Sequence, residues 1–344
     1  MFKLHPEFIP QNKYDIAIDA HVTHTYHDTS QHPCKSCPYC LKRTRGDKIW
    51  YVHCDLVACF IAPNGLRIPL LFHRIRARSE WGQLGEEKWK QECERTAFPI
   101  LLKELRRQFP RLRMHIHLDA LYATDANFTL LHELGTDYSI VRKANVLKTV
   151  GEDCKGLERF CKPVEVEMEN KRFKIWQRIL FFNDIAYKKH NLSLIQLDEI
   201  AEKKPSKRFA KVASKNTHWE WVVHQQLNNE NVGKIAAQSR IRWKEEDLFN
   251  DVQRRGFAIC HDFNRAPAAQ LVRTYLILIA YAICSILTYS RHGQSILSRG
   301  LTVIFMMEQM LSDLIHIEAG DLFIGREPGQ LRWGTDPPRM VVKA

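Results

Sequence analysis

The chain is poor in several features that would have fixed its class at once. Its 344 residues hold no low-complexity tract and no internal repeat, which excludes solenoid and fibrous architectures. The opening MFKLHPEFIP lacks the basic-then-apolar layout of a signal peptide. The longest uncharged apolar stretch, residues 274–289, is short of the ~20 residues that span a bilayer, so a buried helix is expected there. No membrane partner is expected, and the cytoplasm is the expected compartment. Acid is scarce relative to base: 39 Asp and Glu face 51 Lys and Arg, a net charge of +12. Basic clusters recur at 42–48, 73–78, 103–113, 203–211 and 240–244. Such an excess suits a polyanionic partner, and nucleic acid is the first candidate. A solvated basic surface would look the same by charge alone.

What is present reads as an α/β chain. Residues 14–20 (YDIAIDA) alternate as a strand, with Asp15 and Asp19 on one face. A His- and Cys-rich loop is expected over 21–48. Residues 49–62 and 66–75 form a hairpin about Pro63-Asn64-Gly65. Residues 86–107 have helical spacing; 112–118 alternate as a strand with Asp119 at its carboxyl end; a short helix (126–134) and a strand (138–141) follow. Residues 150–225 are β-rich and basic, with a hairpin turning near 169–170 and a strand at THWEWVVHQQ. A long helix is expected from 228 to 253, then helices at 268–290 and 298–315. The organisation expected is a first core part (14–149), a β-rich insertion (150–225), a second core part with carboxy-terminal helices (226–316) and a tail (317–344).

Strand-end aspartates suit chemistry because neighbouring strand ends bring distant residues together. Asp19 and Asp119 fit that pattern, and a helix carboxylate beside the sheet would complete an oxygen-ligand site for two Mg²⁺ ions. In SRIRWKEEDLFNDVQRR, Arg242, Glu246 and Gln253 are spaced by 4 and 7, close to three helical turns, and Ser239 joins their face. An ordinary i,i+4 salt bridge on an exposed helix gives the same spacing.

These blocks resemble a known family. The stretches IDA at Asp19, HLDALYA at Asp119 and RWKEEDLFNDVQRRGF at Glu246 are similar to the three catalytic blocks of DDE-type transposases of bacterial insertion sequences, in the group with a β-rich insertion before the Glu. YVHCDLVACFIAPNGLRIPL, EKWKQECE and WVVHQQLNNENVGKIAAQSR add to the likeness, which runs from about residue 14 to 287. The resemblance implies a ribonuclease-H-like mixed sheet flanked by helices, with the insertion between the second Asp and the Glu. It implies Asp19, Asp119 and Glu246 as catalytic ligands of Mg²⁺ or Mn²⁺, and DNA cleavage and strand transfer at transposon ends. It also implies a homodimer on transposon-end and target DNA, nucleoid-associated in the cytoplasm. The family's Glu-helix pattern has Tyr, Arg, Glu and Lys. Arg242 and Glu246 match it, Ser239 stands at the Tyr position and Gln253 at the Lys position, with Arg254 beside it as a further DNA-contacting candidate. The alternatives are a catalytically impaired remnant that only binds nucleic acid, and a nuclease of the same fold.

Ten cysteines are many, but a chain of this length does not need disulfides. Cys59 and Cys284 lie in apolar runs and read as core thiols. Cys34-Lys-Ser-Cys37-Pro-Tyr-Cys40 differs, with His21, His24, His27 and His32 before it and His53-Cys54 after it. A C-x₂-C half-site suits structural Zn²⁺, with Cys34, Cys37, Cys40 and Cys54 as the ligand set. Unliganded loop cysteines and a redox pair remain open beside it.

Overall fold

Alternation in the first strand continues beyond the expected stop. The computed structural model describes residues 13–27, 37–77, 93–169, 172–204, 214–254, 257–260, 266–298, 302 and 305. In it β1 spans Tyr14–His27. Successive side chains of a strand point to opposite faces. Ile16 and Ile18 therefore enter the larger core, while Ala17 enters a second core on the other face. Asp15, Asp19 and His21 share Ala17's parity. The loop expected over 21–48 is thus too long. Residues 21–27 stay in β1 because β3 (Lys48–Ile61) offers a partner for the whole length, from Asp15↔Ile61 to His27↔Trp50. β2 (Leu41–Arg45) takes up the far end of the expected loop.

The hairpin to β4 (Arg67–Arg74) closes as expected. Gly65 sits at φ +88, a conformation that disfavours any side chain, and Asn64 accepts the Leu66 N–H at 3.1 Å. α1 (Glu94–Gln108) then buries Phe98, Leu101, Leu102 and Leu105. The earlier part of that expected helix, 86–92, lies outside the described residues. β5 (Met114–Leu118) and β6 (Asp137–Val141) run parallel to β1, linked through a 3₁₀ turn at Ala120–Tyr122 and α2 (Asp125–Glu133).

After α3 (Lys148–Leu157) comes an antiparallel meander: β7 (Val164–Glu169), β8 (Phe173–Tyr187), β9 (His190–Lys203) and β10 (Ser214–Val223). The expected hairpin is β7–β8. β10 bonds to β6 through Trp221↔Val141, so the β-rich block extends the core sheet. The order is β2–β3–β1–β5–β6–β10–β9–β8–β7, with β4 also on β3. The molecule is therefore α/β, with one large mixed sheet flanked by helices.

The long helix expected over 228–253 is broken. α4 (Val232–Ser239) passes through a 3₁₀ turn at Arg240–Arg242 into α5 (Trp243–Arg254). α6 (Pro267–Tyr289) is not the buried helix expected: only 22% of its most apolar window is covered, and Val272, Leu276, Ile279 and Ile283 are exposed. It is the one described helix long and apolar enough to cross a membrane. The chain divides into two compact units, Met1–Ser290 and Arg291–Ala344. In the second, α7 (Arg291–Ser298) is described; the expected helix 298–315 falls almost wholly outside the described residues, and the tail does so entirely.

Candidate active site and metal centre

Register places the two aspartates side by side. The parallel pairing of β1 and β5 runs Tyr14↔Met114 to Ala17↔His117. Asp19 and Asp119 each stand two residues past that last pair, at equivalent positions on neighbouring strands. Asp19 is largely buried, and burial raises its pKa above the usual carboxylate value. Arg242 and the Ala20 N–H oppose that rise, whereas the negative charges of Asp119 and Glu246 add to it. Asp19 thus senses both other members of the expected triad.

α5 brings the third carboxylate. Arg242 donates to Asp19 Oδ2 at 2.7 Å and to Glu246 Oε1 at 3.0 Å, bridging strand and helix. Lys143 donates to Asp119 Oδ2 at 3.2 Å. Asp15, the same-face competitor of Asp19, is occupied otherwise: His117 and the Gln238 amide meet its Oδ1 at 2.9 and 2.6 Å. It clamps α4 to the sheet and is set apart from the triad.

The expected stripe on the Glu helix is only partly right. Its inward face carries Ser239, Arg242, Glu245, Leu248 and Val252, all buried, because the 3₁₀ turn advances that face by threes. Ser239 donates to the Ile235 carbonyl at 2.8 Å and its Oγ lies 2.9 Å from Ser139 Oγ, so it is turned into the α4–β6 contact and not outward as expected. Gln253 reaches His21 Nε2 at 2.5 Å and is likewise turned to β1. Arg242, expected to grip phosphate, is engaged with the carboxylates, and Arg240 forms a two-bonded pair with Glu199. Within the Arg240–Lys244 cluster the two arginines are thus paired with carboxylates, whereas Lys244 is exposed. Arg254 ends α5, and its side chain lies outside the description.

Three neighbours escaped the sequence reading. Glu245 is fully buried, and its pKa is pushed well up by burial and then by Asp19, with the Asp19 N–H and Arg242 opposing. Glu94, at the start of α1, is raised by burial, Asp19 and Asp119, with Arg43 of β2 opposing. The buried Tyr122 hydroxyl has no partner and is raised by burial, Glu94, Asp19 and Glu245. Only the blocks around them, EKWKQECE and HLDALYA, carried a signal. Buried carboxyls raised in this way concentrate at functional sites.

A second cluster lies on the same sheet face. Cys37 Sγ and Cys40 Sγ stand 3.3 and 3.1 Å from His53 Nε2, and all three residues are buried. Among the described residues this is the one group whose ligand atoms all lie within 4.8 Å of one another, as holding a metal ion requires. A hydrogen bond from Cys40 leads the causes that lower the Cys37 thiol to about 4. The expected ligand set needs correcting. Cys54 follows His53 in β3 and so faces the opposite side, inside the larger core, where burial lifts its thiol to about 12. Cys34 lies outside the described residues. His53, read as a neighbour, is the residue whose Nε2 meets both sulfurs; β3 is buried continuously, so no alternation marked it.

No protein-family model matches the chain, and a search of curated proteins finds no match.

Proposed function

We propose that this chain is a DDE-type DNA transposase on a ribonuclease-H-like core, with Asp19, Asp119 and Glu246 as its metal-binding carboxylates. One observation carries the reading. Two aspartates a hundred residues apart stand at equivalent places on adjacent parallel strands, and the Arg242 bridge holds a helix Glu against the first of them. The order β4–β3–β1–β5–β6, with β3 alone antiparallel to β1 in the path to β6, is compatible with a ribonuclease-H-like core.

The donor set fits hard cations. Asp19, raised by burial and by the charges of Asp119 and Glu246, stands where a divalent cation would relieve the gathering of carboxylates. Two Mg²⁺ ions bound there would activate the attacking oxygen and stabilise the leaving oxygen of a phosphodiester. Asp19 would supply ligand oxygens from within β1 and Asp119 from just past the end of β5, and Glu246 would close the set from α5. Arg242 neutralises part of that charge and is the group placed to meet a phosphate oxygen at the same spot. Arg43 on β2 and Lys143 after β6 add positive charge beside the pocket.

A second reading, a remnant that binds nucleic acid without cutting it, is favoured by one observation. The residues at the family's Tyr and Lys positions, Ser239 and Gln253, are turned inward on Ser139 and His21. Incubation with DNA carrying the flanking inverted repeats, with and without Mg²⁺, separates the two. Metal-dependent cleavage at the repeat ends supports the enzyme; salt-dependent binding without any nicking supports the remnant.

A further inference from the structure

The cysteine–histidine corner has more structure than a half-site. Cys37-Pro-Tyr-Cys40 makes a tight turn in which the Cys40 N–H donates to the Cys37 carbonyl at 3.3 Å. Both sulfurs face one nitrogen of His53. In a tetrahedral zinc site the usual bond lengths put a sulfur and a nitrogen ligand about 3.6 Å apart. The observed 3.1 and 3.3 Å need only a small expansion to admit an ion. Neither cysteine is joined in a disulfide.

A strand irregularity brings a fourth candidate, His24, to the same face; it stands outside the group whose ligand atoms lie within 4.8 Å of one another, so it joins an ion only by a shift of its ring. β1 and β3 pair as Val22↔Cys54 and then as His24↔His53, with a bulge at Thr23. One extra residue in one strand shifts the parity of everything beyond it. Without the bulge Thr23 would oppose His53 and His24 would point into the other core. With it, His24 and His53 stand directly opposite on the face that also holds Tyr26 and Tyr51. Their rings lie 5.8 Å apart, both are almost wholly buried, and the Nδ1 atoms of both lack hydrogen-bond partners. Two imidazoles whose Nδ1 atoms lack partners and two thiols, sealed from water, cost stability as a bare cluster and match the N/S ligand set of zinc.

We propose that Cys37, Cys40, His53 and His24 form a structural zinc site of two sulfurs and two nitrogens. It ties the Cys37–Cys40 turn to the middle of the β1–β3 ladder. The tie extends to the end of β4, because the Ala77 N–H donates to the Pro38 carbonyl at 2.7 Å. Four protein ligands leave no open position, so the ion is a fastener and takes no substrate. The site is independent of the carboxylate chemistry proposed above.

The test is metal analysis of the purified full chain, followed by X-ray absorption at the zinc edge. One zinc per chain, with two sulfur and two nitrogen scatterers, is expected. C37S, C40S and H53N should each lose the ion, and H24N should weaken its retention against a chelator by roughly a hundredfold. C54A should keep it. A metal-free protein, a Cys37–Cys40 disulfide, retention of zinc in C37S, or unchanged affinity in H24N would each overturn this ligand set. The absorption spectrum of the unsubstituted chain reads the sulfur count even if a variant fails to fold, and zero, three or four sulfurs would contradict the proposal.

Discussion

Two clusters of chemically competent residues share β1, β3 and one face of the sheet, yet they are built on opposite principles. In the oxygen cluster the charges of Asp119 and Glu246 help to raise Asp19, and Arg242 and Lys143 are hydrogen-bonded in as countercharges. The sulfur–nitrogen cluster around His53 is drawn together, with both sulfurs within 3.3 Å of one nitrogen. Thiols and neutral imidazoles can be packed in contact and buried, whereas ionised carboxylates repel. Between them on β3 lies Asp55, fully buried, which accepts two 2.8 Å bonds from Arg74.

The contrast can be broken most sharply at the carboxylates. D119N and E246Q should each lower Mg²⁺-dependent cleavage by roughly 10³-fold, since a metal's charge stabilisation of several kcal/mol is removed at ~1.4 kcal/mol per tenfold. Gel-shift binding of DNA should persist in both. A comparable effect, on stability and not on cleavage, is expected at the ion pair between the clusters. D55A leaves Arg74 buried and without its carboxylate, and should cost about 3–5 kcal/mol in denaturant unfolding. An unchanged midpoint would show that Asp55 does not hold the two regions together.

Glu245 gives a smaller and pH-dependent effect. Its pKa is raised in the folded chain, so the folded state keeps that proton to higher pH than the unfolded state does. Stability therefore falls as pH rises from the ordinary Glu range through the higher folded value. E245Q should flatten that slope and be the more stable protein at neutral pH. The same variant sharpens the site assignment: cleavage lost in E245Q but retained in E246Q would make Glu245 the third ligand. The mildest change is S239A, which removes the bond to Ser139 inside the α4–β6 contact and should cost about 1–2 kcal/mol with little effect on DNA affinity.

Alternation in the sequence exposed β1 and β5, and the Pro63-Asn64-Gly65 turn between runs of β-formers exposed the β3–β4 hairpin. Pattern failed in the later meander. β9 is buried continuously from Leu192 to Leu197, so no alternation marks it. It failed again where tertiary pairing overrides local pattern. The bulge at Thr23 answers to β3, and only with it do His24 and His53 meet; a chain read as loop from residue 21 gives no reason to choose His53 over Cys54. The 3₁₀ turn at Arg240–Arg242 has the same effect on α5. It carries Glu245 into the buried face and leaves Glu246 at the pocket edge, a distinction of one residue that helical spacing alone does not make.

The central claim is that the carboxylates on β1, β5 and α5 cut DNA with divalent metal. Its most direct test compares the intact chain with D119N on DNA bearing the flanking inverted repeats, in Mg²⁺ and in chelator, with zinc content measured on both. The account predicts cleavage at the repeat ends by the intact chain in Mg²⁺ alone, no cleavage by D119N, and the same one zinc per chain in each. Equal cleavage by D119N, or cleavage that persists in chelator, would contradict it.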